Sequence, residues 1–282
     1  MTPQQKIVRV KIERFDSGIS TTTDDFVALE EPLEIRLSAC GGTAPQSLSI
    51  TMRTPGDDFN LVAGFLFAEN IIASKDDIRR MTYCVGTQKS LQEYNVISVD
   101  LGEKANVDNA KLLRNTITSA SCGVCGKSIL EALQVKGLAR VDAPLRASAA
   151  LIQSLIQNMR QAQSVFAKTG GVHAAVLFDR SGSVVASAED VGRHNAVDKV
   201  IGAQVLAAAM PLHERILMVS GRTSFEILQK ALAARIPIVA AVGAPSSLAV
   251  DLAREFNVTL IGFLQADRFN VYSAPERIVK AR

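Results

Sequence analysis

The 282-residue chain has no tryptophan, three histidines, four cysteines and only 5% aromatic residues. So few cysteines in so long a chain exclude a secreted disulfide framework. No uninterrupted apolar run approaches the ~18 residues of a spanning helix. The polar start Met1-Thr2-Pro3-Gln4-Gln5-Lys6 shows no run of the signal-peptide kind. A formal net charge of +3 is too small to argue for nucleic acid or a membrane surface. With 48% apolar and 21% charged residues, the composition is that of a globular chain of one or two domains, expected in the reducing cytoplasm.

Residues Lys6 to Phe15, Leu33 to Leu37 and Leu48 to Met52 alternate apolar and polar side chains, and so predict half-buried strands. Thr54-Pro55-Gly56-Asp57-Asp58 then punctuates the chain and puts acids at a helix start, before a core helix over 59–67 and a strand over 96–101. Asp142-Ala143-Pro144 marks a boundary between a strand-rich N-terminal domain, 1–142, and a C-terminal domain, 143–282. Ala147 to Lys168 has the spacing of one long amphipathic helix. A hairpin over 174–187 follows, turning on Arg180-Ser181-Gly182. Beyond it, helices over 196–209, 225–234 and 246–256 alternate with strands over 216–220, 238–242 and 259–263. Such crossovers imply parallel strands with covering helices, an α/β arrangement within an α+β whole.

Two of the cysteines stand together in Ser121-Cys122-Gly123-Val124-Cys125-Gly126. A Cys-x-x-Cys pair can hold half a zinc site, exchange disulfides or carry sulfur as a persulfide. Zinc needs two more ligands. The zinc deaminase signature is absent, because His173-Ala174-Ala175 follows the pair and Ser121 replaces the proline. Glycine flanks and Lys127 suit an exposed thiolate that moves between donor and acceptor, so sulfur carriage leads, with redox exchange and metal binding left open. Cys40 and Cys84 read as small packing residues.

Anion chemistry is signalled further on. Ser220-Gly221-Arg222-Thr223-Ser224 and Gly243-Ala244-Pro245-Ser246-Ser247 each follow a strand and open a helix. Both offer glycine, hydroxyls and backbone N–H groups at the carboxyl end of a sheet, where ligands of open α/β folds bind. Neither is a Walker or Rossmann fingerprint. Gly and Ser are also ordinary turn residues, but a neighbouring pair bearing Arg222 favours a phosphate or nucleotide site. The run Glu189 to Lys199, with Arg193, His194 and Asn195 beside Gly192, reads either as part of that site or as a capping and ion-pair network. His173, after two glycines at the mouth of a strand, is a further candidate.

Together these motifs resemble the formate dehydrogenase accessory sulfurtransferase family, FdhD. The matching segments include Glu31 to Leu37, Thr54 to Asp58 and Ser121 to Gly126. In the C-terminal half they are Thr169 to Ala175, Glu189 to Lys199, Ser220-Gly221-Arg222 with Ser224 and Glu226, Gly243 to Leu248, and Gly262-Phe263 with Arg268-Phe269-Asn270-Val271-Tyr272. The resemblance implies that a cysteine desulfurase loads a persulfide on Cys122, with Cys125 assisting. The sulfur then passes to the molybdenum cofactor, bis-molybdopterin guanine dinucleotide, destined for the formate dehydrogenase catalytic subunit. It also implies a cofactor-binding segment over Phe263, Leu264, Gln265, Ala266, Asp267 and Arg268, a cytidine deaminase-like three-layer C-terminal domain with a mixed sheet, and a homodimer.

Many members carry a basic residue where Gln265 stands, which shifts cofactor charge onto Arg268. The remaining cofactor-binding candidates are Ser220, Gly221, Arg222, Gly243, Ser246, Arg193, His194 and His173. GDP or GTP would mimic the substrate there, and no structural metal is expected. Two other readings compete: a chaperone that escorts the cofactor without chemistry, which would tolerate Cys122→Ala, and a thiol-disulfide oxidoreductase, which would need no nucleotide.

Overall fold

The structure is a computed structural model that describes residues 5–38, 44–84, 94–103, 105 and 138–280. Cys40, Cys122 and Cys125 lie outside these residues.

Strands β1 (Ile7–Asp16) and β2 (Ile19–Ala28) form an antiparallel ribbon. It turns on Ser17 and Gly18, whose positive φ values of 49° and 86° suit the right-handed twist of a two-residue hairpin. The Thr- and Asp-rich β2 has no alternation that marks it as a strand; pairing with β1 makes it one. Next come β3 (Glu31–Ser38), β4 (Gln46–Arg53), helix α1 (Asp58–Ala68), β5 (Ile78–Tyr83) and β6 (Val96–Leu101). The four strands form one sheet in the order β4-β3-β6-β5, with β3 and β6 parallel. Arg53 is fully buried beside it, bonded to Asp58 at 3.1 Å and Glu31 at 3.2 Å.

The C-terminal half begins with β7 (Ala147–Ser148), α2 (Ala149–Ala162) and α3 (Phe166–Thr169). The single long helix expected over 147–168 is therefore interrupted. Glu189 accepts hydrogen bonds from the Val165 and Phe166 N–H groups, both at 2.8 Å, and so supplies the start of a second, separate turn. There follow β8 (His173–Phe178), β9 (Val184–Asp190), α4 (Arg193–Leu206), β10 (Ile216–Val219), α5 (Phe225–Ala233), β11 (Ile238–Ala241), α6 (Ser247–Glu255), β12 (Thr259–Gly262), β13 (Asn270–Ser273) and β14 (Ile278–Val279). Strands β8 to β13 make a six-stranded mixed sheet in the order β13-β12-β11-β10-β8-β9. Strands β10, β11 and β12 are parallel, as the two crossovers predict.

This sheet is buried on both faces. Ala175, Leu177, Leu217, Val219, Val239 and Leu260 point to α4, α5 and α6 and share one cluster with Leu33, Ile35 and Val99 of the N-terminal sheet. Val176, Phe178, Ile216, Met218 and Ile238 point the other way, onto Ile152, Leu155 and Met159 of α2. Two-sided burial explains the unbroken apolar runs of β10 and β11. No helix among the described residues is long and apolar enough to cross a membrane.

Candidate anion-binding site

The carboxyl ends of β10, β11 and β12 and the amino end of β8 open on the same edge of the sheet. Beyond the strands, the two turns continue to pair. The Val242 N–H donates to the Val219 carbonyl, Gly243 N–H to Gly221, Thr223 N–H to Ala244 and Ser246 N–H to Thr223, at 3.0–3.2 Å. Gly243 makes this approach possible, because a Cβ there would lie 2.9 Å from the Gly221 oxygen.

Pairing corrects one expectation. In the second turn the N–H groups of Gly243 and Ser246 are spent on the first turn, and the Ser246 hydroxyl caps its own helix at Ala249. Gly243 shapes the site, and Ser246 joins the two turns and caps α6.

The first turn carries the site. Ser220 is fixed by two bonds to Ala174, its hydroxyl accepting from the Ala174 N–H at 2.9 Å. Gly221 lies under His173 and Arg193, with His173 Nδ1 3.3 Å and Arg193 Cδ 3.8 Å from where its Cβ would be. Burial, then the positive charges of Arg193 and His194, hold the His173 imidazole below its ordinary 6.5, with Asp190 opposing. Arg193 has no hydrogen-bond or ion-pair partner among the described residues, and its Nε is buried without one. The buried Thr223 hydroxyl is unpartnered too. Exposed Arg222 forms no ion pair among the described residues. These groups form a cationic cluster beside a cleft of about 470 Å³ lined by His173, Ser220, Val242, Arg160 and Phe166. Such a cluster is suited to an anion with several oxygens.

His194 points to the other face of the turn, where its Nε2 meets Ser224 Oγ at 3.1 Å and Glu226 Oε2 at 2.9 Å. That contact, more than any other, draws the Glu226 carboxyl below its ordinary 4.5. Glu226 was absent from the predicted site, since an acid in the first helical turn reads as a capping residue.

The remainder of Glu189 to Lys199 is structural. Asp190 and Lys199 pair at 2.7 Å, fully buried. Asp190 also accepts from the Thr54 and Gly192 N–H groups and the Asn195 amide. Lys199 donates to the Thr54 carbonyl and Asn195 to that of Met52, so the run stitches α4 to β4. Asp198 is held by Lys230 at 2.8 Å.

The segment Phe263 to Arg268 adjoins the second turn through Phe263 N–H and the Gly243 carbonyl, 3.2 Å. Phe263, Gln265, Ala266, Asp267 and Arg268 are exposed there. Leu264 is not available to a ligand: it is wholly buried under the sheet and anchors the segment by its N–H to Ala241. Gln265 accepts from Arg268 Nε at 2.9 Å, so it orients the arginine where a basic residue was looked for. Cys84 corrects another expectation. It is exposed, not packed, with its sulfur 3.1 Å from Ser98 Oγ.

Comparison with known proteins gives consistent matches. The FdhD/NarQ family profile matches residues 28–279. A "Sulfur carrier protein FdhD" of Streptomyces avermitilis is 46% identical over 281 residues, covering 99% of this chain and 96% of its own. The protein of the same name from Sulfurisphaera tokodaii is 42% identical, covering 97% and 100%. A crystal structure of a formate dehydrogenase accessory protein from Desulfotalea psychrophila superimposes with a TM-score of 0.75 at 28% identity, covering 98% and 100%.

Proposed function

The chain belongs to the FdhD/NarQ family, and we propose that it is a sulfur carrier in formate dehydrogenase maturation. In this reading Cys122 takes sulfur from a cysteine desulfurase and passes it to bis-molybdopterin guanine dinucleotide, held as substrate at the C-terminal cleft. One observation supports the substrate half: His173, Arg193, His194 and Arg222 gather around the Ser220–Ser224 turn, and the Arg193 guanidinium makes no hydrogen bond or ion pair among the described residues. A cation left without a hydrogen-bonded partner beside a cleft suits an external anion, and the pyrophosphates of a dinucleotide supply one.

The sulfur half follows from thiol exchange. The Cys122 thiolate attacks the outer sulfur of the desulfurase persulfide. A new S–S bond forms on Cys122, the old one breaks, and the desulfurase cysteine leaves as its thiolate. Cys125 assists as relay or as the thiol that releases sulfide.

Intact mass tests the reading after incubation with a cysteine desulfurase, cysteine and pyridoxal phosphate. The wild type should gain one sulfur atom, reversibly with reductant, and Cys122→Ala should not. No gain in the wild type would leave the escort role in its place.

A further inference from the structure

One wall of the His173 cleft has little of its own to hold it. Phe166, Gly170 and Gly171 line the cleft there, on α3 and the turn that ends it. Helix α3 is a single turn, none of its four residues is buried, and Phe166 is left 44% exposed. Its N-cap, Val165, is buried but has no side-chain oxygen to close the turn. So short a helix does not persist by propensity, and this one gains little from burial.

Glu189 supplies what is missing. Its carboxylate reaches α3 from the end of β9, with Oε2 accepting from the Val165 N–H and Oε1 from the Phe166 N–H, both at 2.8 Å. The Ser164 hydroxyl also donates to Oε2, at 3.4 Å. Glu189 is buried and forms no ion pair among the described residues. A carboxylate taken out of water without a cation is costly, and N–H donors must satisfy it. Arg193 stands four residues further on, also without a partner among the described residues, yet the two do not pair. The acid is committed to the wall, and the cation is left to the ligand.

A second support comes from the ribbon. A Cβ on Gly171 would lie 3.6 Å from the Ala28 Cβ of β2, and α3 rests against the same strand. That contact is van der Waals only, so the hydrogen bonds of Glu189 fix the wall's place. We propose that Glu189 is a positioning residue of the cleft. By fixing Phe166 and the Gly170-Gly171 turn, it sets the wall against which the uncharged part of the ligand packs. Glu189 itself does not line the cleft and touches no ligand. This rests on the reading of the cleft as the ligand site.

Calorimetric titration of the full chain with GDP and with pyrophosphate tests the assignment. Glu189→Gln keeps the size of the side chain but turns an amide donor towards one of the two N–H groups. Its GDP affinity should fall about tenfold, while pyrophosphate, which has no uncharged part, stays within about twofold. Phe166→Ala, at an exposed position, should show the same selective loss. The double variant should bind GDP within about twofold of the weaker single variant, because Glu189 acts through Phe166. Hydrogen exchange on the wild type stands apart from how the variants fold. There GDP should slow exchange over residues 165–171, and pyrophosphate should not.

Unchanged GDP affinity in either single variant, or exchange that GDP leaves unaltered, would overturn the assignment while leaving ligand binding in place. Equal losses for GDP and pyrophosphate in Glu189→Gln would overturn it too, because Glu189 would then act on the fold as a whole. So would additive losses in the double variant, which would make the two residues independent. A wild type that binds neither compound would refute the reading of the cleft itself, and this inference with it.

Discussion

Gly64 of α1 meets the Asp198 carbonyl of α4 with no room for a side chain: a Cβ there would fall 1.9 Å from the oxygen. The contact is reciprocated at Gly202, whose Cβ would lie 1.8 Å from the Asn60 carbonyl. Backbone touches backbone at this crossing, and the atoms in the way belong to no flexible side chain. Gly64→Ala should therefore separate the helices and cost about 3 kcal/mol. Urea unfolding would measure it, and a loss below about 1 kcal/mol would show that the crossing relaxes easily.

The buried Asp190–Lys199 pair is the polar counterpart of that crossing. Lys199→Met would leave the Asp190 carboxylate buried without its cation, at a cost of about 3–5 kcal/mol. Adding Asp190→Asn should recover part of the loss, since the uncompensated charge disappears. Absence of any recovery in the double variant would mean that the Thr54 contact, rather than the ion pair, holds the seam.

Arg193 should behave in the opposite way. With no hydrogen-bond or ion-pair partner among the described residues, Arg193→Met should leave the unfolding free energy within about 0.5 kcal/mol of wild type. Pyrophosphate affinity should drop about tenfold, the worth of one charged hydrogen bond. Intact affinity with lowered stability would make Arg193 a structural residue instead.

His173 gives the site a pH dependence. Its folded-state pKa lies below the ordinary 6.5, mainly through burial. Neutral imidazole is favoured in the fold, so its contribution to stability is present above about pH 6.5 and is lost as pH falls through the lowered value. A bound anion favours the imidazolium and draws the pKa back up. Pyrophosphate should thus bind more tightly at pH 6 than at pH 8, with proton uptake seen as a buffer-dependent heat. His173→Gln should flatten that slope, and an unaltered slope would assign the proton elsewhere.

Much of the fold was legible because its signals are local. Strands β10, β11 and β12 and helices α5 and α6 follow from runs and periods that any window of the chain contains. Strand β2 was not legible: it depends on β1, and its threonines and aspartates carry no pattern of their own. The break between α2 and α3 depends on Glu189, more than twenty residues away, whose carboxylate reaches the Val165 and Phe166 amides.

The candidate site divides along the same line. By itself the sequence determined that a Cys-x-x-Cys pair is present, that two glycine- and serine-bearing turns end parallel strands, and that an unusual density of charge precedes α4. Only the tertiary structure decided which of those charges serve a ligand. Thr54, far away along the chain, captures Asp190 and Lys199 for the seam and leaves Arg193 and His194 outside it, beside the Ser220–Ser224 turn. Pairing of one turn with the other consumes the N–H groups of Gly243 and Ser246, and burial removes Leu264. The reason is physical: residue type sets which bonds a group can form, but a partner distant in sequence and near in space decides which of them are already made.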